Sequence, residues 1–392
     1  VTRHRDFKAL VRERMTKTGE RYAAARAQLL SQRDQIETTT YPGVIAGYDR
    51  FGGVQGGTAP LTNLLRQAGL RWAPGGGPFT ETIVNGLCGG PGFLYAVFEY
   101  KGWPPMLSIA LQARSMPDAY IAQGLSRVGA KVKTHETASP APARKTLDGL
   151  LAEPRPALCL TGLRAVGVIG RDGGDYWIDD RSPKPGRMAA DALARARAGY
   201  GPSKHRLWAI DAADPKFRPE EALREAIADT AKSYTAPPVP KSFWSNCGFA
   251  GLEKWQGLLT DRKDKKGWPM LFDEGPRAFS GLTRTYEWIA CLVAPDAGRG
   301  FYAAFLDEAS GILGQKSLKA AAGHFRDAAG EWGRLGEFIA GVDDAVVRKA
   351  CAASQERLEL ADAEGLCAPP DSPITAPKPN PEAANCRLTK DQ

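Results

Sequence analysis

Along this chain the spacing of apolar residues changes character more than once. Near the N-terminus Phe7, Leu10, Val11 and Met15 keep helical spacing, and Tyr22, Ala25, Leu29 and Leu30 resume it after a break at Thr16–Glu20. Residues 1–35 therefore read as a helical hairpin. From about residue 40 to 212, short apolar runs alternate with glycine turns and separated helices. Met106–Ala113, Ala157–Leu163, Ala165–Gly170 and His205–Asp211 read as strands. Asp172-Gly173-Gly174 supplies a positive-φ turn that returns the chain through Tyr176-Trp177-Ile178, a hairpin signal. Helices fit Pro117–Gly129, Lys145–Glu153 and Arg187–Gly199, with no regular βαβ alternation, so the expected class is α+β. Beyond Arg218 the strand pattern stops. Residues 215–350 carry successive amphipathic segments rich in Ala, Leu and Trp, an all-helical domain joined through the Pro-rich Ala236–Ser242. Residues 368–392 hold six prolines in 25 positions and no periodicity, which predicts a disordered tail.

Composition narrows the class. Nothing approaches the run of about 18 apolar residues that spans a membrane. The basic N-terminus lacks the apolar stretch of a secretory signal. Seven scattered cysteines, none in C-x-x-C spacing, fit reduced thiols in a cytoplasm better than a disulfide frame or a zinc site. With four histidines far apart in sequence, no metal or cofactor is expected. The net charge of +8 is uneven: residues 1–33 hold nine Lys/Arg against three Asp/Glu, so +6 sits there and +2 on the rest. A nucleic-acid arm would account for this segment, but a solvated hairpin does so with fewer assumptions.

One stretch carries candidate chemistry. In "YDRFGGVQGGTAPLTNLL", Tyr48–Leu65, a glycine-rich turn runs into a helix whose first N–H groups would face a ligand. No Gly-Lys-Ser/Thr follows, which excludes a nucleotide P-loop. The order of this loop, "NGLCGGPGFLYAVFEY", "AVGVIGRDGGDYWIDD" and "GFYAAFLDEAS" resembles the butirosin-biosynthesis protein H family over roughly residues 40–340. The resemblance implies a papain-like, cysteine-peptidase-like domain over 40–212 followed by a helical domain. It also implies an acyltransferase of secondary metabolism that moves an acyl group from a carrier-protein thioester to an amine. In that pattern a Cys at the helix start is the nucleophile, a His opening a later strand is its base, and an acid on the returning strand orients the imidazole. This chain has Gln55-Gly56 where His-Cys would stand and Leu163-Arg164-Ala165 where the His would open the strand; Asp179-Asp180 remain.

The residues left to carry a site are therefore Gln55, Thr58, Cys88 and Asp179, with Gly56, Gly57, Asn63, Gly89, Gly90 and Asp180 facing substrate. Gln55 could donate to an oxyanion or be an ordinary loop residue. Thr58 is the hydroxyl at the junction, and its expected role is an N-cap. Cys88 sits among glycines whose N–H groups could form an anion nest, or it is a small core residue. Cys247 could stand at a helix start, Cys159 and Cys291 read as core, and His205 opens a strand. Trp103, Trp177, Trp244, Trp255 and Trp288 are packing residues or walls of an acyl channel. Two readings stand side by side: an acyltransferase using a carrier-borne thioester, and a catalytically degenerate module that binds a carrier protein, peptide or small molecule.

Overall fold

The computed structural model describes residues 41–72, 77–102, 104–112, 117–162, 164–199, 201–214, 216–293, 296–364 and 381–388. The basic hairpin over 1–35, Leu163 and Trp103 lie outside them. The class is α+β, as expected: an antiparallel sheet region comes first and a mostly helical part follows.

The chain opens with a glycine-rich loop, helix α1 (Thr58–Gln67) and helix α2 (Glu81–Cys88). A two-stranded antiparallel ribbon follows, β1 (Pro91–Phe98) with β2 (Met106–Gln112). Next come α3 (Pro117–Leu125), β3 (Ala130–His135), α4 (Pro140–Ala152), β4 (Ala157–Thr161), β5 (Arg164–Asp172), β6 (Asp175–Asp179), β7 (Gly186–Ala189), α5 (Ala190–Ala198) and β8 (Leu207–Ala213). Six strands form one antiparallel sheet in the order β3-β8-β4-β5-β6-β7. The Gly173-Gly174 hairpin is present as read, with Asp172 opposite Asp175.

Period-two alternation covers both faces of this sheet. Leu158, Leu160, Ala165, Ile169 and Trp208 pack with α1, α2 and α3 on one face. Ala157, Cys159, Val166, Val168, Leu207 and Ala209 pack with α4 and α5 on the other. Helix α1 is buried from Thr58 through Leu65, so even its polar positions must find partners inside the protein.

The helical part holds α6 (Pro219–Ser233), α7 (Gly248–Thr260), the short α8 (Trp268–Leu271) and α9 (Gly275–Tyr286). Helix α9 runs on as a π-helical stretch, Glu287–Val293. Helices α10 (Arg299–Leu313), α11 (Lys316–Ala340) and α12 (Ala345–Glu364) follow, the last passing well beyond residue 350. This part is not packed as a separate body. Tyr302, Phe305, Leu306, Ala309 and Ala322 belong to the same core as α1 and α2. The β1–β2 ribbon conversely buries Phe93, Tyr95, Leu107 and Ile109 among Trp255, Leu258, Phe272 and Ile289. Trp255 also stacks on Trp332, so it packs the helical core, and Trp288 lies against the same cluster.

Part of the segment expected to be disordered is ordered. Pro381–Asn385 forms a 3-10 turn, and Ala383, Cys386 and Leu388 are buried beside Phe279, Val347 and Cys351. Backbone bonds hold it: Gly275 N–H donates to the Leu388 carbonyl at 3.1 Å and Arg387 N–H to Asp344 at 2.8 Å. A few apolar side chains in a groove overrode the proline-rich composition.

Close contact between the two parts depends on Gly86, because a β-carbon there would fall within the buried Phe305 ring. Gly86→Ala is expected to destabilise the protein by about 1–3 kcal/mol through overpacking. The control is Gly149→Ala on the open face of α4, where no atom lies within 4 Å; it should stabilise by about 1 kcal/mol. Urea unfolding midpoints of the two variants check both signs.

Candidate functional site

The loop before α1 lies against the end of β6. Gly52, at φ 75, has no room for a side chain because the Ser182 carbonyl occupies the space. Asp179, the last residue of β6, is fully buried and accepts from the Tyr48 hydroxyl at 2.6 Å, Gly52 N–H at 2.8 Å and Asn63 Nδ2 at 2.9 Å. Asn63 also donates to the Gly52 carbonyl at 3.0 Å. Asn63 thus fastens the loop to the sheet and does not line an open subsite.

The start of α1 does not follow the capping expectation. Its N-cap is Gly57, at φ 92, and Thr58 is the first helical residue. Thr58 is buried and donates its hydroxyl to Glu81 at 3.3 Å. Glu81, first residue of α2, accepts Val54 N–H and Gln55 N–H at 2.8 Å each. These two loop amides, just ahead of the helix, are therefore engaged by the protein's own carboxylate. Gln55 points the same way: its Oε1 accepts from Asn85 Nδ2 at 2.5 Å, and that nitrogen donates at 2.6 Å to Tyr120. Gly53 lies so close that a β-carbon would come within 2.5 Å of both Ala59 Cβ and Glu81 Oε2.

Gly56 is the exposed residue in this stretch, and the space over it faces Asp180. A β-carbon on Gly56 would lie 3.7 Å from Asp180 Oδ1. One on Gly57 would lie 3.8 Å from Ala165 Cβ and 3.4 Å from Ile121. Asp179 stands opposite Gly167 in the β5–β6 pairing, two positions along the same face from Ala165. The start of α1, β5 and β6 thus come together around Gly56 and Gly57.

Residues 55–167 match the protein family described as butirosin biosynthesis protein H, N-terminal. This stretch is a domain of that family. The match runs from Gln55 through α1, the ribbon and β4 to Gly167, stopping short of Asp179 and Asp180. Among curated proteins, none matches the chain.

The remaining candidates lie elsewhere. Cys88 ends α2, fully buried with its sulfur against Gly124, and burial pushes its thiol far above the usual range. It occupies the negative end of a helix, where a thiolate is disfavoured. The following Gly89 and Gly90 pack on Thr230 and Tyr302, as the junction with the helical part and not as an anion nest. Cys247 does precede α7 as its N-cap, but burial raises its thiol too. Cys159 is core as read, while Cys291 is half-buried on the π-helical stretch. His205 sits at φ 47 in the turn before β8, which β4 separates from β5. Trp177 and Trp244 bond backbone carbonyls, of Pro42 and Val239. Among the described residues no cluster of His, Cys, Asp or Glu could hold a metal, and no helix is long and apolar enough to cross a membrane. Nothing in the sequence marks Tyr48, Asn85 or Tyr120; Thr80 followed by Glu81 is readable only as a helix start.

Burial pushes the Asp179 carboxyl up to about 7, against the pull of Gly52, Tyr48 and Asn63, and Asp180 adds to the rise. The native state then holds a proton that the unfolded chain releases near pH 4. The contribution of this carboxyl to stability is therefore greatest below that value and is lost as pH climbs through 7, by at most about 4 kcal/mol. Denaturant midpoints measured from pH 4 to 8 should show this decline, and Asp179→Asn should flatten it. Accessibility gives a second check: the thiol introduced by Gly56→Cys should react with iodoacetamide in the native protein, while Cys88 reacts only on unfolding.

Proposed function

We propose that this protein is a catalytically vacant, papain-like module of a biosynthetic pathway that binds a carrier-borne acyl group or a like ligand without forming a covalent intermediate. The observation that carries this reading is that Gly56 stands where the resemblance would put the thiol and Leu163-Arg164-Ala165 where it would put the imidazole, while a β-carbon on Gly56 would meet only Asp180 and Arg181 within 4 Å. A thioester exchange needs a nucleophile and a general base within hydrogen-bond reach of one another. Neither place holds a thiol or an imidazole. The hydroxyl nearest the helix start, on Thr58, is buried and committed to Glu81, and the Cys88 thiol is held protonated in the core.

What persists is the loop. Gly56 is exposed, with the Asp180 carboxylate and the Arg181 side chain nearest to it. Glycines let a ligand approach the backbone closely. The papain-like assignment draws on the convergence of α1, β5 and β6, and the acyl-carrier ligand on the family resemblance.

Incubation with a panel of acyl-pantetheine thioesters, read by intact-protein mass spectrometry and by titration calorimetry, tests this. Saturable binding without a mass adduct or thioester consumption is expected. Substitution of Gly56 by Trp should abolish that binding while leaving the unfolding midpoint nearly unchanged. An acyl adduct that disappears in Thr58→Val or Cys88→Ala would overturn the reading in favour of an acyltransferase. Failure of every panel member to bind would overturn the ligand class.

A further inference from the structure

Helix α10 reaches the start of α2 from the far side of the site. Antiparallel packing at Gly86 and Phe305 places Glu308, three residues later on α10, over Thr82 and Thr80, four and six residues earlier in the chain than Gly86. The Glu308 carboxylate accepts from both threonine hydroxyls, from Thr80 at 2.9 Å. Thr80 is the N-cap of α2, and its oxygen accepts Ile83 N–H at 3.2 Å. A hydroxyl that donates to a carboxylate is held in the rotamer that turns its lone pair to the helix, so Glu308 fixes the cap. The residue after that cap is Glu81, whose carboxylate holds Val54 and Gln55.

We propose that Glu308 is a positioning residue for the Gly52–Gly57 loop, and that the helical part of the protein controls the shape of that loop through the first turn of α2. The line of force is continuous: Glu308 to Thr80 and Thr82, the capped turn to Glu81, and Glu81 to the two loop amides. Glu308 touches no ligand in this scheme. Its effect on binding rests on the preceding reading of the loop as ligand-facing, whereas its effect on loop geometry does not.

Thr80 and Thr82 lie beside Glu81 in sequence, yet neither bonds the loop directly among the described contacts, so the mechanical path can be cut at a point remote from the site. The experiment is amide hydrogen exchange at Val54 and Gln55 in the full chain. Glu308→Ala is compared with Phe305→Leu, which loosens the same helix contact and leaves the carboxylate in place. Exchange at Val54 and Gln55 should accelerate about tenfold or more in Glu308→Ala, beyond any change at core amides of β4 and β5. Glu308→Gln, which can still accept one hydroxyl and donate to the other, should restore most of the protection. Thr82→Val should give an intermediate value. The proposal is overturned if the two loop amides change only in step with the core amides, if Phe305→Leu of equal global destabilisation accelerates them as much, or if Glu308→Gln gives no rescue. These readouts need no ligand, so loss of the binding reading would leave them standing. Where acyl-pantetheine does bind, its affinity should fall in the order of loop exchange across the same variants.

Discussion

The Glu81 carboxylate takes two backbone N–H groups that the chain buries just before α1, together with the Thr58 hydroxyl. Without an acceptor, each buried amide would cost about 1–3 kcal/mol. Much of the surrounding geometry follows from meeting that demand. Gly53 must lack a side chain because Ala59 and Glu81 close over it. Helix α2 must begin where its first residue can reach the loop. Once α2 is placed, Gly86 gives α10 its seat, and the helical part of the protein is locked against the sheet part through a shared core.

The same demand bears on chemistry. A helix start attracts negative charge, and in a thiol enzyme that pull lowers the pKa of the nucleophile. Here the attraction is answered from within by a glutamate. Asp179 has likewise become internal: the donors it accepts are a tyrosine, an asparagine and a loop amide. In the family pattern an acid on this strand would steady an imidazole, whereas here it steadies the polypeptide. Both carboxylates are structural members of the loop.

How much of this the sequence disclosed depends on the range of the interaction. The β5–β6 hairpin, the buried β4 and the amphipathic helices were readable because period and turn chemistry are local signals. The loop and Asp179 could be picked out by the order of motifs. The role of Thr58 could not, since an N-cap and a buried helix residue look alike until the partner, 23 positions away, is known. The two readings of Cys88, anion nest or core, could not be told apart for a similar reason: the glycines after it end a helix against α6 and α10, and that contact spans much of the chain. The β1–β2 ribbon gave no sign that its apolar face belongs to the helical core. Composition misled at residues 381–388, where three buried side chains and two backbone bonds outweighed the prolines.

The span that matches the family begins at Gln55 and ends at Gly167, inside β5. Tyr48, Gly52 and Asp179, which clamp the loop to the sheet, lie outside it, as does the whole surface that covers the ribbon. Heredity and cooperativity therefore draw different borders on this polypeptide. Cut at the inherited border, the piece would have a half-length strand at its end, a two-stranded ribbon showing aromatic rings to water, and a loop without its anchors. The contacts that bury the recognisable stretch reach from the Tyr48 loop through Trp332 on α11, far past its own ends.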